Sequence, residues 1–269
     1  MAFSMFDNLG KPNFVMVHQG KQRCVLYRSA TQNLPLLGTV GLNPCMGLIL
    51  AGTVTYQQDE INTSPVTKNF LLFDHNVGID TTGLNPEKLQ LIKTQSDKRT
   101  VMIDSFCSDV LCNMLTAIEK KAEGRNQQNI IMQIHLEKFY LIRCIQLISE
   151  KEPEEQFSAT LQNETADQLK LFFSNQNQIT QVATEADCST ITFSDHYGIM
   201  TCEENEVLGI RESSMDCYFK TDAQGELQVM CYHVKPQNLD RDISDHQGKR
   251  KLDSESQTEP PTKRHKGRR

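Results

Sequence analysis

The chain lacks the compact motifs by which many enzymes declare themselves. It has no His-Glu-x-x-His helix, no Cys-x-x-Cys pair, no Gly-x-x-x-x-Gly-Lys loop and no Gly-x-Ser-x-Gly elbow. Each absence removes a class: zinc proteases, ribbon-type zinc or dithiol redox centres, P-loop nucleotide hydrolases and α/β-hydrolases. No apolar run approaches the roughly 20 residues that span a bilayer, so no membrane partner is expected. The opening residues Met1-Ala2-Phe3-Ser4-Met5-Phe6-Asp7 lack the charged leader and apolar stretch of a secretory signal. The nine cysteines are odd in number, scattered and mostly set in apolar or strand-like surroundings. They read as reduced thiols of a nuclear or cytosolic protein, acting as small buried hydrophobes. The sequons Asn62-Thr63-Ser64 and Asn163-Glu164-Thr165 are then incidental.

What is present is an address. Lys249-Arg250-Lys251, an eleven-residue polar spacer and Lys263-Arg264-His265-Lys266-Gly267-Arg268-Arg269 close the chain. Two short Lys/Arg blocks on a flexible spacer suit the acidic grooves of a nuclear import receptor, which read charge on an extended backbone. The import residues are therefore Lys249, Arg250, Lys251, Lys263, Arg264, Lys266, Arg268 and Arg269, and the expected location is the nucleus. Between the blocks, Ser254 and Ser256 lie among Asp253, Glu255 and Glu259, and Ser256-Gln257 has the form favoured by DNA-damage kinases. Phosphates there would weaken the grip of an acidic receptor, so both serines are candidate phosphorylation sites.

Charge divides unevenly. The segment 249–269 carries eight Lys/Arg against three acids, net +5, which leaves 20 basic and 31 acidic residues, net −11, for 1–248. Such a body is repelled by bulk DNA phosphate, so any DNA contact is local or made through the tail.

Hydrophobic patterning points to an α+β chain with two β-rich halves, each with a short amphipathic helix. A hairpin is expected from Phe14–Val17 and Cys24–Tyr27, a strand from Leu48 to Tyr56, and a second hairpin in which Leu89 and Leu91, then Val101 and Ile103, alternate. Val110, Leu111, Met114, Leu115 and Ile118 mark a helix over 109–121, with Ser108 as cap and Gly124 after its end. Residues 130–148 suit either two buried strands or one buried helix. The acidic, proline-containing run 150–156 reads as a linker between an N-terminal domain (1–149) and a C-terminal domain (157–236). In the latter, Phe157–Leu161 alternates as a strand, Ala166 to Ser174 is a helix capped by Thr165, and two strands flank a turn at Asp195–Gly198. A last hairpin pairs Met215–Lys220 with Leu227–Val234. From 237 to 269 apolar periodicity ends, as in a disordered tail.

No cofactor or metal is expected. Cys107 and Cys112 lack a second ligand pair, and Cys231 with His233 on one strand face supplies only two ligands. Glu203, Glu204 and Glu206 read as a solvated loop, and Phe172-Phe173 as core.

Three passages carry a family likeness: Phe157–Leu161 with the helix around Leu169–Phe173, the run Thr190–Ile199 cornered at Asp195-His196-Tyr197-Gly198, and Cys217–Val229. Together, over 157–235, about 30% of the chain, they resemble part of a sliding DNA clamp of the proliferating cell nuclear antigen and checkpoint-clamp type. That resemblance implies a clamp-like fold with helix lysines toward DNA, namely Lys120, Lys121 and Lys170, and an outer sheet that binds proteins. The alternative is a pleckstrin-homology-like N-terminal barrel followed by a second small α+β domain, an adaptor that binds protein partners without DNA. The expected function is non-enzymatic: a nuclear protein-binding scaffold of a DNA-associated complex in replication, repair or meiosis, partnered by an import receptor and other proteins of that complex.

Overall fold

A computed structural model describes residues 14–27, 36–58, 64–124, 129–148, 151–205, 214–221 and 227–234. The import blocks, Ser254, Ser256, Glu206 and the expected turn around Gly225 lie outside them. The described residues form two sheets and four helices, an α+β arrangement.

The large sheet runs β2(Gln22–Tyr27), β5(Val66–Asn76), β4(Met46–Gln58), β6(Asn129–Ile145), β7(Ile191–Asn205). All neighbours are antiparallel except β6 and β7, which are parallel and joined through the helices α3(Pro153–Ser174) and α4(Gln176–Glu185). The small sheet runs β1(Phe14–Met16), β3(Leu36–Thr39), β8(Ser214–Thr221), β9(Leu227–Val234), with β1 and β3 parallel. Each sheet thus draws strands from both sides of the acidic run 150–156. The helices α1(Pro86–Thr94) and α2(Ser96–Glu123) complete the described elements.

Alternation along the strands sorts side chains onto two cores. Leu48, Leu50, Val54, Phe70, Leu72, Ile134, Leu136, Phe139 and Leu141 pack against α2, α3 and α4 on one face. Ile49, Leu71, Phe73, Tyr140 and Ile142 point the other way and meet Leu37 and Cys217 of the small sheet. The period-two rule makes this possible for strands buried on both faces. Gly52 leaves room for the backbone of β6 beside β4. A Cβ there would lie 2.0 Å from the His135 carbonyl, beside the bulge that leaves Glu137 out of register.

Several expectations are corrected. The hairpin read over 89–103 is helical, and α2 starts at Ser96 rather than 109. Val101 and Ile103 sit two apart, which on a helix places them on opposite sides: Val101 is 66% exposed and Ile103 buried. The signal for α1 was Asn85-Pro86-Glu87, a side-chain cap accepting from the Lys88 N–H, proline at the first position and an acid in the first turn. The linker run 150–156 likewise starts a helix. Pro153 opens α3, Glu154 and Glu155 face its positive end, and the strand expected at 157–161 is part of it. Thr165, expected as a cap, lies within α3, where its buried hydroxyl donates to the Leu161 carbonyl at 2.6 Å. Residues 129–145 form one strand, and β1 and β2 join different sheets instead of pairing. The strands at 190–193 and 199–202 are one strand, β7, in which Ser194–Tyr197 bulge opposite Glu137. The strand at 48–56 and the hairpin of β8 and β9 form as the alternation implied.

Contrary to the sequence reading, α2 is long and apolar enough by composition to cross a membrane. Its apolar stripe, Ile103, Cys107, Val110, Leu111, Met114, Leu115 and Ile118, is buried against the large sheet, the position of a core helix.

Candidate functional site at the β7 edge

The strand β7 ends the large sheet, and among the described residues it is paired on one side only. Fifteen residues long, it is mostly half-buried or exposed. Ile191, Phe193, Tyr197 and Ile199 turn toward the helical core. The bulge is pinned by Tyr197, whose hydroxyl donates to the Phe173 carbonyl at 2.8 Å and whose ring meets Phe193 edge-on at 5.1 Å. Met200 is 51% exposed, and Asp195, His196, Glu204 and Asn205 are exposed around it. An edge with unpaired backbone groups is a template for another strand, and charges beside it restrain indiscriminate pairing.

The C-terminal third of β7 is anchored by an ion network. Arg143 of β6 is buried, and its Nε donates to Glu203 Oε1 at 2.6 Å while Nη1 donates to Asn163 Oδ1 at 3.0 Å. Lys170 of α3 lies 2.7 Å from Asp167 Oδ1 and 3.2 Å from Glu203 Oε1, and Asp167 also reaches Arg143 at 3.5 Å. Two cations and two carboxylates balance, which keeps the desolvation of Arg143 tolerable. Glu203 is therefore not the solvated loop residue its sequence neighbours implied; it belongs to the lock between β6, β7 and α3.

The candidate DNA-contact lysines Lys120, Lys121 and Lys170 have different surroundings. Lys120 and Lys121 are exposed in the last turn of α2, suited to its negative end. Lys170 is engaged by two carboxylates. Around it, α3 and α4 carry Glu154, Glu155, Glu164, Asp167 and Glu185 and no other Lys or Arg.

On the opposite side of β7 from Glu203 lie thiols. Cys202 and Cys231 of β9 both pack against the core that holds Cys217, and Cys217 of β8 is the register partner of Cys231. All nine cysteines are free. Burial pushes Cys24 and Cys107 up to about 12 and Cys217 well above its ordinary value, as expected of inert core thiols. Cys107 is fully buried on the inner face of α2 and Cys112, on the same helix, is half-buried, a packing arrangement. No group of three or more His, Cys, Asp or Glu side chains among the described residues is placed to hold a metal ion. Phe172 and Phe173 are wholly buried.

Arg143 and Glu203 are sixty residues apart, so no local pattern reveals their pairing. Only a buried arginine in a strand, with an acid on a later strand, hints at it. Comparison with protein-family models, with curated proteins and with solved structures finds no match.

Proposed function

We propose that this chain is a non-enzymatic nuclear scaffold of a DNA-associated complex, of the replication, repair or meiosis type, whose body receives protein partners along the β7 edge. The one-sided pairing of β7 carries the reading, because main-chain groups along such an edge give affinity to an added strand while exposed side chains such as Met200 select it. The acidic surface of α3 and α4 argues against broad contact with phosphate, so DNA is reached through partners or through the basic tail, which also carries the import signal.

The test uses the full chain in nuclei, with cross-linking followed by peptide mapping and nuclease-treated controls. Partner cross-links are expected within 191–205, to survive nuclease, and to be lost in Met200→Lys while the melting temperature stays unchanged. Cross-links confined to the helical face sink the reading. Partner binding with no chromatin-associated fraction favours an adaptor that works without DNA. For import, a fusion too large to diffuse through the pore and truncated after Gln247 is expected to remain cytoplasmic; equal nuclear signal removes the tail as the address.

A further inference from the structure

Negative charge in the body is concentrated around β7. Residues 151–205, which form α3, α4 and β7, hold ten acids against Lys151 and Lys170, net −8 of the net −11 carried by residues 1–248. Lys170 is already paired with Asp167 and Glu203, and the Asp167 side chain remains 61% exposed. Along β7, side chains alternate between the two faces of the sheet. Glu203 turns to Arg143 and α3, and Cys202 to the core shared with the small sheet, so exposed Glu204 follows on the α3 side of the edge and Met200 on the other. Asp195 is exposed in the bulge. The strand thus offers its unpaired main-chain groups among acids, and it carries no Lys or Arg of its own.

We propose that the chain's own basic tail, through Lys249–Lys251 and Lys263–Arg269, lies along this edge in the free protein and there masks its own import signal. The inference rests on the reading of β7 as a receiving edge, and it names the first occupant. Charge favours the tail: residues 249–269 carry net +5, against net −8 over 151–205 and only −3 over the rest of the body. Distance permits it. Cys231 of β9 and Cys202 of β7 pack against one core, and β9 ends at Val234, three residues beyond Cys231. Fifteen residues then lead from Val234 to Lys249, a stretch that reaches up to about 50 Å when extended. Tethering makes the contact intramolecular, at an effective concentration on the order of millimolar, so a weak attraction suffices to fill the edge.

The two basic blocks then have two acidic destinations, the β7 edge and the groove of an import receptor. A partner strand that takes the edge through main-chain hydrogen bonds expels the tail and releases the blocks. Import is thereby tied to assembly, because the signal is most available when β7 is already filled. Phosphate on Ser254 or Ser256 repels the acids around β7 as well as those of the receptor, and so loosens both contacts.

The test uses the purified, nuclease-treated full chain and a carbodiimide that joins lysine to carboxylate without a spacer, followed by peptide mapping of the monomer. Links from Lys249, Lys251, Lys263 or Lys266 to Asp195, Glu204 or Asp167 are expected. Their yield is expected to hold on roughly tenfold dilution, and to fall at least about threefold from about 50 mM to about 500 mM salt as the screening length shortens. When Asp195→Lys and Glu204→Lys are combined, tail links to Asp167 are expected to fall at least about threefold, and a fusion too large to diffuse through the pore to enter nuclei at least about twofold faster. Glu87→Lys and Asp109→Lys, at exposed positions of α1 and α2, are expected to change neither. Tail links spread evenly over the body, with Glu87 and Asp109 taken as often as Asp195 and Glu204, overturn the proposal. So do links that vanish on dilution, which make a second copy the occupant, a monomer with no tail links, or unchanged import in the doubly reversed variant. The purified chain holds no partner, so partner cross-links at 191–205 in nuclei stand or fall separately from these results.

Discussion

The two faces of the large sheet are buried by different means. Toward the helices the core is nearly pure hydrocarbon, centred on Phe139 and Phe173, whose rings stack with centroids 3.9 Å apart and planes 2° from parallel. Toward the small sheet, apolar residues share the space with polar ones. Thr39 Oγ1 lies 2.7 Å from the Val17 carbonyl and 2.6 Å from His75 Nδ1, and Asp216 accepts from the Gly41 N–H at 3.0 Å. All three residues are 2% exposed or less. Burial raises Asp216 to about 6 and lowers His75, the direction that disfavours each charged form. The first face is organised for adhesion, whereas the second buries titratable groups as well.

The largest effect is expected from Phe173→Ala, which removes the stacked ring and opens a cavity between α3 and the sheet. A loss of about 3–5 kcal/mol is expected in chemical denaturation. A loss below about 1 kcal/mol would show that α3 is not the main cover of that face. Next is Glu203→Ala, which leaves buried Arg143 with Asn163 and the distant Asp167. A cost of about 2–3 kcal/mol is expected. The half-exposed pair of Arg99 and Glu164 is the internal standard: Glu164→Ala is expected to cost about 1 kcal/mol or less. Equal losses for the two variants would erase the distinction between the lock at β7 and an ordinary surface pair.

A change of the opposite sign is expected at Asp216. The native state holds the Asp216 proton more tightly than the unfolded chain does, so the protonated carboxyl favours the fold. That contribution is full below the unfolded carboxylate value of roughly 4 and is lost as pH rises through about 6. Asp216→Asn keeps an oxygen for the Gly41 N–H and removes the buried charge. It is expected to stabilise at pH 7.5 by on the order of 2 kcal/mol and to flatten the stability curve between pH 4 and 7. An unchanged slope there would falsify the assignment of that titration to Asp216.

What was legible in the chain follows the reach of each signal. Strand β4 and the hairpin of β8 and β9 were readable because alternation and a turn are local. The helices were readable only where their apolar stripe was uninterrupted, as in 109–121. At Val101/Ile103 and Phe157–Leu161, short stretches of helix imitate a period of two, and tertiary burial decides the matter. The acidic run 150–156 misled because the same residues, proline and glutamate, serve equally as a breaker and as the first turn of a helix. The Arg143–Glu203 lock depends on strand order, which no window of sequence contains.

That strand order also dictates when the molecule can be finished. Gly38 and Thr39 pair with Tyr218 and Cys217, so the small sheet is built from the two ends of the body. Closing a loop of that length early is entropically costly, and contacts of such separation slow folding. During synthesis β1 and β3 emerge long before their partner strand, while β4, β5, α2 and β6 already have one another. The helix-covered core is therefore expected to assemble first, leaving Leu37 and the outer face of β4 and β5 uncovered until β8 arrives. A chain stalled or cut before residue 214 would hold that apolar face open, which makes the final hairpin the step that separates a soluble product from an aggregating one.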